Sequence, residues 1–87
     1  MLFLIASAPD TQEFKTAIQM ASDAHADICL LQNAVYAART SENKNMYVLS
    51  DDMKIRGIEE NEISGKSIDY DRLVELMTTA EKVVGLF

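Results

Sequence analysis

The chain offers few places for chemistry: one cysteine, Cys29, and one histidine, His25. A thiol carries sulfur or attacks as a thiolate, which requires access and a nearby cation or helix N-terminus. Cys29 instead sits in the apolar run Ile28-Cys29-Leu30-Leu31. An unpaired cysteine in such a run behaves as a small buried hydrophobe, and burial raises its pKa. Cys29 is therefore read as core, with sulfur carriage as its minor reading. Asp51 and Asp52 follow the apolar run Met46-Tyr47-Val48-Leu49. Paired carboxylates at the end of a strand can hold Mg²⁺ with water completing the octahedron. A second use for Asp51 is to cap the helix that follows, and this is preferred. His25 lies in a connection with no nucleophile beside it, so a solvated imidazole is expected rather than a general base. Six serines share that histidine, and no strained G-x-S-x-G elbow or glycine-rich phosphate loop is present. No cofactor or metal site is expected, and no catalytic activity of the chain by itself.

Alternating short apolar runs and helical patterns must position these residues. Leu2–Ile5, Ile28–Leu31 and Met46–Leu49 are almost wholly apolar, as strands of a parallel sheet covered on both faces are. After Pro9, Asp10 is expected to cap a first helix with Glu13 reaching back. Phe14, Ala17, Ile18 and Ala21 form its buried face. Asn33 is expected to cap a second helix carrying Ala34, Val35, Ala37 and Ala38. Residues 41–45 read as a polar loop. A short helix from Asp51 through Met53 and Ile55 should end at Gly57 in the C′ position. Residues 59–66 read as a surface loop, and Ser67-Ile68-Asp69 as a short edge strand. Asp69 or Asp71 caps a last helix with Leu73, Leu76, Met77 and Ala80 inward. Val83, Val84 and Phe87 can extend that helix, but Gly85 and the β-branched pair favour a terminal strand.

The resulting β-α-β-α-β-α-β-α order, with a fifth strand at the end, predicts a three-layer α/β/α sandwich. Its sheet should be mainly parallel, with four to five strands joined by right-handed crossovers. The 87 residues are expected to form a single domain over 1–87. A chain this short buries only roughly 60–65% of its unfolded surface, so part of its 48% hydrophobic content is expected to serve a subunit interface. The net charge of −6, with basic residues scattered among acidic ones, argues against direct nucleic-acid binding. The opening apolar run is too short to span a bilayer and lacks the flanks of a signal peptide, so a cytoplasmic location is expected.

Three stretches, taken together and in order, resemble the DsrH/TusB family. They are Leu30-Leu31-Gln32-Asn33-Ala34-Val35-Tyr36-Ala37-Ala38; Tyr47-Val48-Leu49-Ser50-Asp51-Asp52-Met53-Lys54-Ile55-Arg56-Gly57-Ile58; and Ile68-Asp69-Tyr70 with Leu73-Val74-Glu75-Leu76 before a closing Phe87. The resemblance spans nearly the whole chain and implies a DsrEFH-like fold. It implies a role in assemblies that pass persulfide sulfur between cysteines, in 2-thiolation of the tRNA wobble uridine or in sulfur oxidation. The implied partners are DsrE/DsrF-like (TusD/TusC-like) subunits, in a homo- or hetero-oligomer without membrane attachment. Some DsrH proteins carry a cysteine in the first helix, and residues 10–23 here have none. The family's acidic-Asp-Gly at the second strand end also reads Gln32-Asn33-Ala34. What the resemblance implies here is thus partnership; Asn33, Tyr36, Asp51, Asp52 and Arg56, read from their own positions, are expected to line a crevice or interface. The rival expectation is a stand-alone homo-oligomer that binds a small ligand.

Overall fold

The computed structural model describes residues 1–41 and 45–86. Residues 42–44 of the expected polar loop and Phe87 lie outside the described residues. The strands are β1 (Leu2–Ile5), β2 (Asp27–Leu30), β3 (Tyr47–Leu49), β4 (Lys66–Ile68) and β5 (Val83–Leu86). They form one all-parallel sheet in the order β4-β3-β2-β1-β5. The α-helices are α1 (Gln12–Asp23), α2 (Ser50–Ile55) and α3 (Tyr70–Thr79), with 3-10 helices at Gln32–Arg39 and Glu60–Glu62.

The topology explains the layers. From β1 to β4 the chain steps across the sheet in one direction, and right-handed crossovers put every connection on the same face. There α1, the long 3-10 helix and α2 cover Phe3, Ile5, Ile28, Leu30 and Val48. The step from β4 to β5 runs back across the whole sheet, so α3 lies alone on the opposite face, over Leu2, Leu4, Cys29, Leu49 and Ile68. Both faces of the central strands are apolar because both are covered, and this gives the unbroken apolar runs.

Three of the expected caps fall elsewhere. Thr11, not Asp10, caps α1: its hydroxyl accepts from Phe14 N–H at 3.2 Å and donates to the Ala8 carbonyl at 2.7 Å, two bonds from one side chain. Asn33 does not cap the second helix, which begins at Gln32 without a side-chain cap and is a 3-10 helix. Its burial repeats every three residues: Ala34 and Val35 are buried and Tyr36 exposed, then Ala37 and Ala38 buried and Arg39 exposed. Three residues per turn is the 3-10 period, and the small alanines allow the tight winding to press on the sheet. Asp51 caps nothing, because α2 begins one residue earlier, directly off β3. Asp69 does cap α3, accepting from Arg72 N–H at 2.8 Å.

The helix stops are plain from the sequence in one case and hidden in another. Gly57, at φ +70°, ends α2 with Ile58 N–H on the Met53 carbonyl and Gly57 N–H on the Lys54 carbonyl. His25, at φ +52°, ends α1 the same way, with Ala26 N–H on the Ala21 carbonyl and its own N–H on Ser22. Histidine tolerates that left-handed conformation better than most residues. The expected loop at 59–66 carries a short helix, and Gly65 permits a close approach: a Cβ there would stand 2.4 Å from the Met46 carbonyl oxygen. In α3 the inward row is Leu73, Leu76 and Ala80; Met77 lies outside it and is exposed, as is Ile55 in α2. The terminal segment is a strand, and it pairs with β1.

Candidate functional site

The carboxyl ends of β2 and β3 bring three of the five expected site residues together. The chain leaves β2 through Gln32, a non-glycine residue at φ +48°. Its N–H donates to Asp52 Oδ2 at 2.7 Å. Asp52 is the only charged side chain among the buried described residues, 8% exposed, and reaches across from α2. Arg56 follows one turn later in sequence. Its Nε donates to Asn33 Oδ1 at 3.1 Å and its Nη1 to the Asp52 carbonyl at 3.1 Å, with Asp52 Oδ1 3.7 Å away. This clasp ties α2 to the turn after β2. It satisfies an otherwise unpartnered backbone N–H and offsets a buried carboxylate with a guanidinium. Every group in it has a protein partner, as fits a positioning device better than an open ligand site.

The other two expected residues stand apart. Asp51 points to solvent, so the two carboxylates do not converge on a cation. Among the described residues no group of three or more His, Cys, Asp or Glu side chains is placed to hold a metal ion. Tyr36 lies on the outer row of the 3-10 helix with Asn33 and Arg39, where residues three apart eclipse. It is exposed and forms surface beside the clasp.

Cys29 is fully buried in β2, on the face covered by α3, among Leu4, Leu31 and Leu49. Burial pushes its thiol pKa up from 9.0 to about 12, and the Asp52 carboxylate adds to the rise. At neutral pH the sulfur is a protonated, enclosed thiol, and a thiolate nucleophile is absent. The exposed histidine His25 closes the end of α1 in the connection leading into β2, and no nucleophile is shown beside it.

Sequence reasoning missed the roles of Gln32 and Asp52. The i,i+4 spacing of Asp52 and Arg56 was the available signal for the ion pair. It also missed a stripe on α3: Tyr70, Val74 and Met77, at i, i+4 and i+7, are 52%, 56% and 39% exposed. Their row runs beside the inward row, so the apolar arc of α3 is wider than the sheet can cover. Hollows of the surface lie elsewhere. One of about 400 Å³ runs along α2, lined by Ser50, Met53, Lys54 and Ile58. Another, of about 510 Å³, opens between α1 and β5, lined by Ser7, Gln12, Glu13, Thr16, Gly85 and Leu86. No described helix is long and apolar enough to cross a membrane.

Among solved structures, the fold is shared with the crystal structure of the ychN protein from E. coli. The TM-score is 0.79 at 17% identity, covering 97% of this chain and 96% of that one. The solution NMR structure of Tm0979 from Thermotoga maritima is also similar, with a TM-score of 0.70 at 29% identity, covering 94% of this chain and 97% of that one. No curated protein matches the chain by sequence. Residues 6–83 match the family described as DsrH like protein. With that match over nearly its whole length and this all-parallel sheet, the chain belongs to the DsrH-like family, a family of small proteins of the sulfur-relay type.

Proposed function

We propose that this chain is a non-catalytic partner subunit of a persulfide-transfer assembly, docked on DsrE- and DsrF-like subunits that supply the reactive cysteine. The observation that carries the reading is Cys29. A family member whose sole cysteine is enclosed, its thiol pushed up to about 12 by burial, is poorly placed to receive sulfur as a thiolate. The exposed α3 stripe of Tyr70, Val74 and Met77 supports docking, and so does the Asn33–Tyr36 surface beside the clasp. Apolar patches of that kind mark protein contact surfaces. The assembly would serve either 2-thiolation of the tRNA wobble uridine or sulfur oxidation, in the cytoplasm. The acidic chain itself would leave tRNA to its partners.

Light scattering of the purified chain, alone and mixed with DsrE- and DsrF-like proteins from the same source, tests this. A defined larger complex is expected, with cyanide-labile sulfur on a partner and none on Cys29. Labile sulfur on Cys29 that passes onward would sink the reading. A second reading, a stand-alone homo-oligomer binding a small ligand, draws on the hollow between α1 and β5. It opens at the carboxyl ends of β1 and β5, the edge on which open α/β sheets commonly bind ligands. Indifference to both candidate partners would favour it.

A further inference from the structure

The helix α3 carries more apolar surface than the sheet can use, and its charges are sorted around that surplus. Leu73, Leu76 and Ala80 turn inward. Tyr70, Val74 and Met77 form the exposed row on one side of them. Residues three and four apart are neighbours on a helix, so Asp71, Glu75 and Thr78 make the next row outward. All three are exposed. The one cation of the helix, Arg72, falls on the opposite flank with Thr79 and reaches over to pair with Glu75. Thr79 shares a hollow with Glu81 and Asp27, and Asp27 another with Lys66, so that lysine also belongs to the far flank. Lys82 is turned away, on the α1 side of the sheet with Phe3, Met20, Asp23 and Val84. Among the described residues, carboxylates border the apolar row and no cation does.

We propose that this row docks a relay partner subunit whose contact face is an apolar ridge flanked by lysine or arginine, the cations meeting Asp71 and Glu75. The proposal rests on the partner-subunit reading and adds the chemistry by which the partner is recognised. Charge complementarity decides the occupant. A second copy of this chain, brought up antiparallel about a two-fold axis, sets the Asp71–Glu75 row against its own image, and like charges face each other. Brought up parallel, its stripe still has no cation to offer. Ile55 stands exposed beside Lys54, but that one side chain leaves most of a three-residue row uncovered. With a net charge of −6, two copies also repel as wholes. A basic-flanked partner meets none of these costs. Its cations reach Asp71, which has no ion pair among the described residues, while its ridge takes Tyr70, Val74 and Met77 out of water.

The full chain is titrated with the DsrE- and DsrF-like proteins from the same source, and affinity is read by calorimetry at low and high salt. Val74→Asp should weaken the complex by about thirtyfold or more. Asp71→Lys should weaken it by about tenfold at low salt, Asp71→Asn by less, and both losses should shrink as salt screens them. Ile55→Asp, exposed but off the row, should leave affinity unchanged. A complex indifferent to Val74→Asp, or one that tightens with Asp71→Lys, would overturn the inference and leave the partner reading standing. No complex with either protein would remove that reading and this inference together. A homo-oligomer dispersed by Val74→Asp would give the row to a second copy and overturn the inference as well. All of these substitutions fall on exposed side chains. Should one still unfold the chain, the unmodified complex decides: an affinity that does not fall with salt would overturn the basic flank.

Discussion

The carboxyl edge of the sheet is closed at one place and open at another. Over β2 and β3 it is bound by Gln32, Asn33, Asp52 and Arg56, each holding another. Over β1 and β5 no such clasp spans the strands among the described residues, and a hollow remains between α1 and the end of β5. The closed part holds the residues that seemed suited to chemistry, and it spends them on joining α2 to the turn after β2. The open part is lined by ordinary polar and apolar residues of α1 and β5. Reactive-looking residue types therefore mark where this fold is held together.

The largest test of that contrast is Asp52→Ala. It strips an acceptor from the Gln32 N–H and a counter-charge from Arg56, both near solvent at their rims. The expected loss is about 2–3 kcal/mol in urea unfolding. A loss no larger than that of a surface substitution would dissolve the clasp. Next comes the pH dependence of Cys29. Its thiol ionises from pH 9.0 in the unfolded chain but keeps its proton to about 12 when folded. Below pH 9.0 the protonated thiol costs neither state anything. Above it the unfolded state gains the thiolate, and stability should fall by about 1 kcal/mol per pH unit. Comparing unfolding free energies with Cys29→Ala, in which lysines and tyrosines still titrate, isolates the effect. Equal slopes would mean that the thiol is not enclosed.

Gln32→Gly should move stability the other way. It relieves a left-handed side chain at φ +48° while adding freedom to the unfolded chain. A net gain of about 0.5 kcal/mol is expected, with Asp52 still holding the N–H. A clear loss would show that the Gln32 side chain itself has a role. The smallest effect belongs to Asp51→Ala, expected within about 0.5 kcal/mol because that carboxylate faces water. The distance between the Asp51 and Asp52 results measures how far two adjacent carboxylates have been assigned different work.

Much of this architecture is legible in the sequence because burial writes itself into apolar runs. The first three runs became β1, β2 and β3, and the valine pair with Gly85 correctly favoured a strand over a longer helix. Gly57 marked a helix end because a glycine there has one evident use. His25 and Thr11 were harder, since the same backbone geometry is less often built from those residues. The 3-10 winding of residues 32–39 lay in a burial period of three rather than four, which a run rich in small residues disguises. The clasp was least visible. It joins Gln32 to Asp52 through a backbone N–H, a group every residue but proline carries, so no side-chain motif announces it. Asn33, Asp52 and Arg56, read from the sequence with Tyr36 and Asp51 as a crevice or interface, are joined by hydrogen bonds that no sequence motif announces.

The pairing of β1 with β5 sets Leu2 beside Val83, the first strand of the sheet and the last laid side by side. During synthesis β1 emerges before the other strands of the sheet and β5 after them. Until then the Leu2–Ile5 backbone presents an open edge of its own, next to β2. The sheet cannot be completed until β5 has been made, and that step closes the loop from β1 to β5, the longest between paired strands. Such closure is entropically costly and slow. The nascent chain is therefore most exposed to wrong strand partners along β1, the segment that ends as one of the best buried in the protein.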